Sequence, residues 1–524
     1  MISLSASNPM STRAEFGFTR RAFLAAAGGS LLLATETGAA QTTIGVRKNA
    51  KNLTDSEWAT LERGVAAMKQ IAKASPVSWW FQANMHGFPP DEPAPIFQGW
   101  QTCQHGNWWF LPWHRAYLLY FEKILRAYCG DPSFMLPYWD WTDPTQQSLP
   151  DQFLNPASPL YEETRKSEIN SGGSIDPGAV NWPKVATQTI FSTPIQSRGL
   201  GGQSEPAAGI AGAHGAMEAD CHDLVHDSIG GLMGHPDTAA RDPIFWLHHA
   251  NVDRLWGAWL RVRGRSFLPS EKTWLNTPFL FYGPRGIGGP MTASQVLNSQ
   301  DLGYRYDGYP TIPPVTFAAA GPSLQAGMPT TVVMAPPQEK QTPIATATPA
   351  NAELTSEPLT VTLTPDASGL GQIEGVLRPP VQAPAPGAPP MPTVQGPSLQ
   401  VVVDDIRFDR SPGRFYEVYV NLPQPADAKG PASIYYAGSI SFFALSTQHG
   451  HGRAMLGGQA GKSAVVDVTE AVARLRAVGR LGNDIKVTLI ERSAKPRPGV
   501  VGAPMAAPPP RVTIGSIRLQ RSGE

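Results

Sequence analysis

The sequence predicts a multidomain protein, in which a mainly α-helical domain is followed by a C-terminal all-β sandwich domain. The 524 residues are too many for a single hydrophobic core. Over residues 45–265 apolar residues recur at helical spacings of three and four, whereas over 398–520 they alternate with polar residues, as in strands. A proline-rich stretch at 379–397 separates the two patterns, and we expect it to be an extended linker.

The first 40 residues have the features of an export signal. A twin arginine, Arg20-Arg21, precedes a short apolar stretch over 25–34 and the small residues 38–40. The apolar stretch is too short to span a bilayer comfortably, and no other segment has the length of a transmembrane helix. We therefore expect export by the twin-arginine translocase to the periplasm or the medium, without a transmembrane anchor. An ordinary basic, apolar terminus is the alternative.

Composition excludes several classes of protein. Lys+Arg and Asp+Glu are balanced at 42 each, so nothing favours a nucleic-acid or acidic-membrane partner. Three cysteines, Cys103, Cys129 and Cys221, are too few for a disulfide framework. Many of the 14 tryptophans lie between Trp79 and Trp141, which favours a large aromatic core around one site.

The helices and strands follow from apolar spacing and from caps. Thr54 and Glu57 form a capping-box pattern that opens the first helix. We expect helices over 54–74, 114–128, 218–227 and 248–261. In the C-terminal part we expect strands over 399–406, 415–420, 434–444, 485–490 and 512–519, with one helix over 468–478.

Two sets of histidines predict metal binding. His222 and His226 are four residues apart, so they share one helix face and can bind the same ion. His249 follows, with Asp253 one turn beyond it, and an acidic residue near a ligand histidine commonly fixes its tautomer.

The second set lies upstream. His114 begins a predicted helix, and His105 belongs to the preceding loop because Pro112 lies between the two. His86 offers a third ligand. Three neutral imidazoles for each ion leave an open position and suit copper, whereas carboxylate-rich sites suit Mg²⁺, Ca²⁺ or Mn²⁺. A zinc hydrolase is an alternative, although no HExxH spacing supplies a metalloprotease base.

These residues resemble the tyrosinase and polyphenol oxidase family. Residues 103–125 resemble the first copper motif of the family, residues 242–256 resemble the second, and 82–86 resemble the setting of its first ligand histidine. The resemblance implies a dinuclear site of two copper ions. It implies that copper A is held by His86, His105 and His114, and copper B by His222, His226 and His249.

The resemblance extends beyond the helical part. Residues 272–282 resemble the middle segment of the plant enzymes, and 414–421 resemble the opening of their C-terminal β-domain. It implies a four-helix bundle that holds both copper ions and a β-domain that can cover the active site. The domains are then a signal over 1–40, a dicopper domain over 45–265, a middle segment over 266–378, the linker over 379–397 and the β-domain over 398–520.

The resemblance also assigns residues around the copper ligands. A cysteine at the position of Cys103 is joined in some members to the histidine at the position of His105 by a thioether, and a plain buried thiol is the alternative. His248 is expected to shape the pocket rather than to bind copper. Pro236 occupies the position at which plant catechol oxidases have a bulky Phe, which implies a more open site.

Two carboxylates are candidate catalytic groups. At the position of Glu218 the family has a glutamate that holds a water near copper and helps to deprotonate a monophenol. Asp223 stands where the monophenol-hydroxylating members often have Asn. A second carboxylate can raise the pKa of the first and supply a base, or can draw the water away.

The expected function is oxidation of o-diphenols to o-quinones with O2, together with ortho-hydroxylation of monophenols. O2 and small phenols or catechols are the expected partners. A pure catechol oxidase and an o-aminophenol oxidase are alternatives within the same chemistry. A dioxygen-binding dicopper protein is the non-enzymatic alternative, which the export signal and Pro236 disfavour.

Overall fold

The computed structural model describes residues 44–89, 97–192, 199–204, 214–313, 341–349, 352–377, 397–447, 461–499 and 510–523. The predicted export signal over 1–40 and the predicted linker up to residue 396 lie outside these ranges. Residues Ile44–Glu524 form one compact unit. Among the described helices, none is both long and apolar enough to cross a lipid bilayer.

Helices dominate the described residues up to 276. The α-helices of the described chain are α1 (Asp55–Gln70), α2 (Trp79–His86), α3 (Phe110–Cys129), α4 (Ser167–Asn170), α5 (Trp182–Ala186), α6 (Asp223–Ile229), α7 (Ile244–Arg263), α8 (Lys272–Asn276), α9 (Ala367–Leu377), α10 (Phe442–Thr447) and α11 (Thr469–Ala477). A π-helical turn, Glu218–His222, leads directly into α6.

Strands dominate after residue 340. The described strands are β1 (Gly45–Arg47), β2 (Phe279–Tyr282), β3 (Gly288–Met291), β4 (Tyr304–Tyr306), β5 (Gln341–Ala347), β6 (Ala352–Glu353), β7 (Leu359–Leu363), β8 (Ser398–Ile406), β9 (Phe415–Val420), β10 (Tyr436–Ser441), β11 (Lys462–Asp467), β12 (Ile485–Arg492), β13 (Thr513–Ile514) and β14 (Ser516–Ser522).

The first helix begins at the predicted capping signal, whereas two other helices begin earlier than predicted. At α1 the predicted capping box is present, with Thr54 and Glu57 each bonded to the backbone of the other. The helices α3 and α7 both begin four residues earlier than predicted, at Phe110 and Ile244. In α3, Pro112 lies in the first turn, where its missing N–H costs no intrahelical hydrogen bond.

An aromatic core joins the helices that carry the predicted ligands. The rings of Phe121 on α3 and Trp246 on α7 are stacked, with centroids 3.4 Å apart. Trp79 on α2 packs edge-on against both, at 5.8 Å and 6.1 Å. All three side chains are almost fully buried. Large buried rings therefore fix α2, α3 and α7 relative to one another.

The C-terminal part contains two four-stranded sheets. Their strand orders are β10-β9-β12-β7 and β11-β8-β14-β5. Each sheet thus takes one strand, β5 or β7, from the predicted middle segment, so the sandwich begins before residue 398. The prediction missed β5 because Pro343 interrupts it, and the structure tolerates Pro343 because β5 lies at a sheet edge.

The segment predicted as one strand over 434–444 instead changes direction within the sandwich. Strand β10 ends at Ser441 and the short helix α10 begins at Phe442. This change occurs where the chain meets the helical part of the molecule, because the backbone N–H groups of Phe442 and Phe443 both donate to Asp227.

A second contact joins the sandwich to the helical part. Ser174 and Lys495 exchange two backbone hydrogen bonds of 2.9 and 2.8 Å. The ammonium group of Lys495 also lies 2.9 Å from the carboxylate of Asp176. The sandwich is therefore attached to the helical domain at more than one place.

Candidate metal centre

The structure brings the second set of predicted ligands together at one point. His222 lies at the end of the π-helical turn, His226 on α6 and His249 on α7. The Nε2 atom of His222 lies 3.2 Å from that of His226 and 3.3 Å from that of His249. All three side chains are fully buried.

Hydrogen bonds on the other ring nitrogens fix the tautomers of two of them. His222 Nδ1 lies 2.8 Å from a carboxylate oxygen of Asp223, and His226 Nδ1 lies 2.8 Å from the carbonyl oxygen of Met233. Since both acceptors require a donor, each Nδ1 carries the proton and each Nε2 carries a lone pair. Lone pairs that face each other at 3.2 Å repel, so this arrangement calls for a cation between them.

Protonation does not remove this repulsion. Burial, together with the neighbouring histidines, holds the pKa values of His222 and His249 well below their ordinary value. Burial lowers the pKa of His226 to about 3. Imidazole nitrogens bind metals at about 2.0–2.1 Å, which places nitrogens around one tetrahedral ion about 3.3 Å apart. The donor set therefore fits a metal ion.

The first set of predicted ligands converges in the same way. His86 Nδ1 lies 2.8 Å from the carbonyl oxygen of Pro236, and His114 Nδ1 lies 2.8 Å from that of Phe110. Both rings therefore present Nε2 as the lone-pair nitrogen. These residues and His105 form a buried cluster whose possible ligand atoms lie within 4.8 Å of one another.

The two clusters are adjacent. The rings of His114 and His249 are stacked, with centroids 4.2 Å apart and planes within 6° of parallel. His105 of the first cluster lies 5.8 Å from His222 of the second. The arrangement thus brings the six predicted ligands into two neighbouring clusters, with Cys103 in the first group of possible ligands and His248 in the second.

Cys103 belongs to the first cluster. Its Sγ atom lies 3.6 Å from Nδ1 and 3.8 Å from Nε2 of His105. The sulfur is therefore nearly equidistant from the two nitrogens of the His105 ring. The same sulfur lies 3.3 Å from His114 Nε2. Burial raises the pKa of the Cys103 thiol well above its ordinary value.

The predicted catalytic carboxylates lie beside a histidine that the sequence analysis missed. Asp223 bridges two rings, with one oxygen 2.8 Å from His222 Nδ1 and the other 2.7 Å from His214 Nδ1. Glu218 lies 3.5 Å from His214 and accepts a hydrogen bond of 2.9 Å from the N–H of Gly106. His214 precedes Glu218 by four residues, and that helical spacing was the signal available.

Opposing influences act on these titratable groups. Burial raises the pKa of Glu218 to about 8, and the charge of Asp223 adds to the rise while His214 opposes it. The pKa of His214 rises to about 9, because the neighbouring carboxylates outweigh its burial. Bound cations nearby favour the ionised form of Glu218.

His248 lies against the second cluster, and its possible ligand atom is within 4.8 Å of those of His222, His226 and His249. Its ring stacks on that of His222 at 5.1 Å and lies 5.7 Å from Trp141. Both ring nitrogens are buried and have no hydrogen-bond partner among the described residues. The predicted role in shaping the pocket is consistent with this position.

Pro236 was expected to leave the site open, but an aromatic ring from the β-sandwich lies against the histidine clusters. The phenyl ring of Phe443, from α10 of the sandwich, stacks on His226 with centroids 4.0 Å apart. The same ring lies 5.5 Å from His222 and 5.6 Å from His105. Pro236 itself positions His86 through its carbonyl oxygen. No local sequence motif predicts this contact of Phe443, because the contact depends on how the β-sandwich packs against the helical domain.

Asp253 does not hold a ligand histidine, which corrects the prediction. Its two oxygens lie 2.5 Å from Arg115 and 3.4 Å from Arg47, and they accept hydrogen bonds of 2.6 Å from Tyr304 and Tyr306. Strong cationic partners therefore bind this carboxylate on the side away from the cluster. It ties α7 to α3, β1 and β4 rather than orienting His249.

Known families match most of the helical part of the chain. The profile described as the common central domain of tyrosinase matches residues 76–206 and 181–262. The profile of the polyphenol oxidase middle domain matches 269–316, and a domain of unknown function matches 395–501.

Curated relatives match about half of the chain. The tyrosinase HcTyr1 of Hahella sp. is 34% identical over 297 residues, which are 50% of this chain and 62% of that protein. The chloroplastic catechol oxidase B of Solanum tuberosum is 30% identical over 282 residues, 49% of this chain and 48% of that protein. The chain therefore spans about half to three fifths of the length of these relatives.

Solved structures share the overall fold. A latent apple tyrosinase gives a TM-score of 0.55 at 22% identity and covers 92% of this chain and 98% of its own. A latent aurone synthase gives 0.56 at 20% identity, with 92% and 90% covered. At these identities the likeness establishes the arrangement of helical domain and C-terminal β-domain.

Proposed function

Because the chain belongs to the tyrosinase and polyphenol oxidase family, we propose that it binds two copper ions and oxidises o-diphenols to o-quinones with O2. The proposed activity also includes the ortho-hydroxylation of monophenols. The observation that carries the proposal is the convergence of imidazole Nε2 atoms in two adjacent clusters, with His222 and His226 in fixed tautomers. When bound, the copper pair supplies the binding and reduction of O2. The copper titration that closes the Discussion tests this proposal.

Several features support copper as the metal. The donors are neutral imidazoles, which suit copper better than Mg²⁺, Ca²⁺ or Mn²⁺. The four-helix bundle that the family resemblance implies would consist of α2, α3, α6 and α7, which carry four of the six ligands, while His222 lies on the π-helical turn that leads into α6. Export through the twin-arginine route stays a prediction, and it is compatible with folding and metal loading before translocation.

Glu218 is the proposed base for the proton of a monophenol. It is fully buried near the ligands, and His214 and the N–H of Gly106 orient its Oε1. Asp223 is proposed to orient His222 and, through His214, to balance the charge beside Glu218. A carboxylate held in this way can accept a proton without reorganising its neighbours.

A thioether between Cys103 and His105 is a further proposal about this site. The sulfur lies 3.6 and 3.8 Å from the two ring nitrogens, so a bond to a ring carbon requires only a small approach. Forming it removes one hydrogen from each side chain, with O2 as the oxidant. We expect peptide mass spectrometry of copper-matured protein to show the loss of two hydrogens. Full alkylation of Cys103 after denaturation would exclude the bond, and metal-free protein is the control.

The β-sandwich is proposed to restrain phenol oxidation. Phe443 lies against rings of both clusters and so occupies space that a substrate ring requires. The solved apple tyrosinase and aurone synthase that share this fold are described as latent. A domain tethered within the chain needs little intrinsic affinity, because its effective concentration is on the order of millimolar.

The strand pairing determines where a cut can release this restraint. A cut within the linker at 379–397 leaves β5 and β7 paired with β14 and β12 of the C-terminal piece. We expect that piece to stay bound and catechol turnover to stay unchanged, whereas a cut within 314–340 removes the covalent tether of the whole sandwich, lowers its effective concentration and raises turnover. The test is to engineer a protease site at each place and to cut at equal copper content. Size-exclusion chromatography then shows whether the pieces separate, and catechol turnover is measured before and after the cut. Separation of the piece after the linker cut would contradict the strand pairing.

A further inference from the structure

We propose that Asp227 is the positioning residue that holds Phe443 against the histidine cluster and thereby keeps substrate out. This inference rests on the proposed function, because it concerns regulation of the same site. Asp227 follows the ligand His226 on α6, whereas Phe443 lies more than 200 residues further along, on α10 of the sandwich. One carboxylate therefore couples the metal-binding helix to the element that covers it.

The carboxylate receives three hydrogen bonds from the sandwich. The hydroxyl of Ser441 donates to Oδ2 at 2.6 Å, and the backbone N–H of Phe442 donates to the same oxygen at 3.0 Å. The backbone N–H of Phe443 donates to Oδ1 at 3.0 Å. Asp227, Ser441 and Phe443 are all buried, so water does not replace these bonds while the domains are in contact.

The bonds fix the position of the Phe443 ring. Asp227 and His226 are adjacent on the same helix. The hydrogen bond from the N–H of Phe443 to Asp227 therefore also sets the position of Phe443 relative to His226. The outcome is the stacked contact at 4.0 Å, with ring planes within 13° of parallel. Losing Asp227 would free the ring to leave without breaking any metal ligand.

The carboxylate is not needed merely to form α10. The hydroxyl of Ser441 already accepts a hydrogen bond of 3.1 Å from the N–H of Ala444, which caps the helix from within the sandwich. The N–H groups of Phe442 and Phe443 are first-turn donors that require an external acceptor, which water can supply once the domains part. Asp227 thus contributes to the contact between domains.

Other contacts keep the sandwich attached when this one is lost. The paired backbones of Ser174 and Lys495 do not involve Asp227, and the side chain of Lys166 donates a further hydrogen bond of 3.0 Å to Ser493. An Asp227 variant should therefore open the site locally rather than detach the domain. The fraction of molecules with an accessible site then rises, while the site itself is unchanged.

The test compares full-length, copper-loaded variants in catechol oxidation. Asp227→Asn replaces an acceptor oxygen by an NH₂ donor, and Ser441→Ala removes one donor without touching α6. Loss of a buried hydrogen bond changes an equilibrium about tenfold. Since the apparent affinity scales with the accessible fraction, we expect KM to fall about tenfold in Asp227→Asn and less in Ser441→Ala, with kcat nearly unchanged. A merely structural defect would instead lower kcat or copper content.

A matched control and a reference variant define the comparison. Ser446→Ala removes another hydroxyl of α10, which bonds to the carbonyl oxygen of Phe442 and does not contact Asp227, and its KM should stay unchanged. Phe443→Ala should lower KM directly, and adding Asp227→Asn to it should have no further effect. Additive effects of the two substitutions would overturn the proposal.

Hydrogen–deuterium exchange provides a readout that needs no activity. The amides of Phe442 and Phe443 should exchange faster in Asp227→Asn than in the parent, in both metal-free and copper-loaded protein. Unchanged exchange together with unchanged KM would overturn the proposal. If Asp227→Asn fails to fold, Ser441→Ala decides by the same two measurements. If even Phe443→Ala fails to oxidise catechol, the proposed function fails, while the exchange measurement still decides the role of Asp227.

Discussion

Substitution of His249 by alanine should remove about half of the bound copper and nearly all catechol turnover. His249 presents its Nε2 atom 3.3 Å from that of His222, at the point where the second cluster converges. Without it, two imidazoles remain for that ion, and even the loss of a residue that only supports a ligand costs about 10–100-fold in metal affinity. Turnover should fall more than about 100-fold, because reduction of O2 needs both ions.

The measurement is copper per chain by elemental analysis, together with catechol oxidation at equal protein concentration. His248→Ala is the matched variant for copper content, because His248 is the preceding residue and is equally buried. Its possible ligand atom lies within 4.8 Å of those of the same cluster, so the two variants decide which of the adjacent histidines binds copper. His248→Ala should retain both copper ions. Full activity in His249→Ala, or loss of copper from His248→Ala alone, would contradict the assignment of ligands.

Substitution of Glu218 by glutamine should lose much more tyrosine hydroxylation than catechol oxidation. Glutamine preserves the shape of the side chain but cannot accept a proton, and loss of a general base typically costs about 100-fold or more. Catechols give up their protons more readily at a metal, so their oxidation depends less on this residue. We therefore expect the ratio of the two activities to fall about 100-fold.

Both activities are measured in parent and variant at equal copper loading. Asp220→Asn is a suitable control, because Asp220 lies on the same π-helical turn but pairs with Lys184 at 3.0 Å instead of facing the ligands. It should leave the ratio unchanged. A proportional fall of both activities in Glu218→Gln would remove Glu218 from the role of base. A parent without tyrosine hydroxylation would be a catechol oxidase.

The clustering of the six proposed ligands could be predicted because short motifs place them. The spacing of His222 and His226 fixes a shared helix face, and the structure keeps that face directed at His249. Asp253 was misassigned by the same local reasoning, because Arg47 lies more than 200 residues away in the sequence yet reaches its carboxylate. Proximity along a helix does not show which partner a carboxylate binds.

The covering of the site could not be predicted from the sequence. The position of Phe443 depends on how the sandwich packs against α6, and the hydrogen bonds to Asp227 span more than 200 residues. The strand β5 was missed for a related reason, because an edge strand tolerates a proline that an interior strand excludes. In both cases the deciding contact is made by a distant part of the chain.

The most direct test of the account is O2 consumption with saturating catechol while metal-free protein is titrated with copper. The two histidine clusters predict that O2 uptake rises with added copper and reaches its plateau at two copper ions per chain. Zinc, added in the same way, should give no uptake. A plateau at one ion per chain, or no O2 uptake at any copper concentration, would contradict a dinuclear copper phenol oxidase.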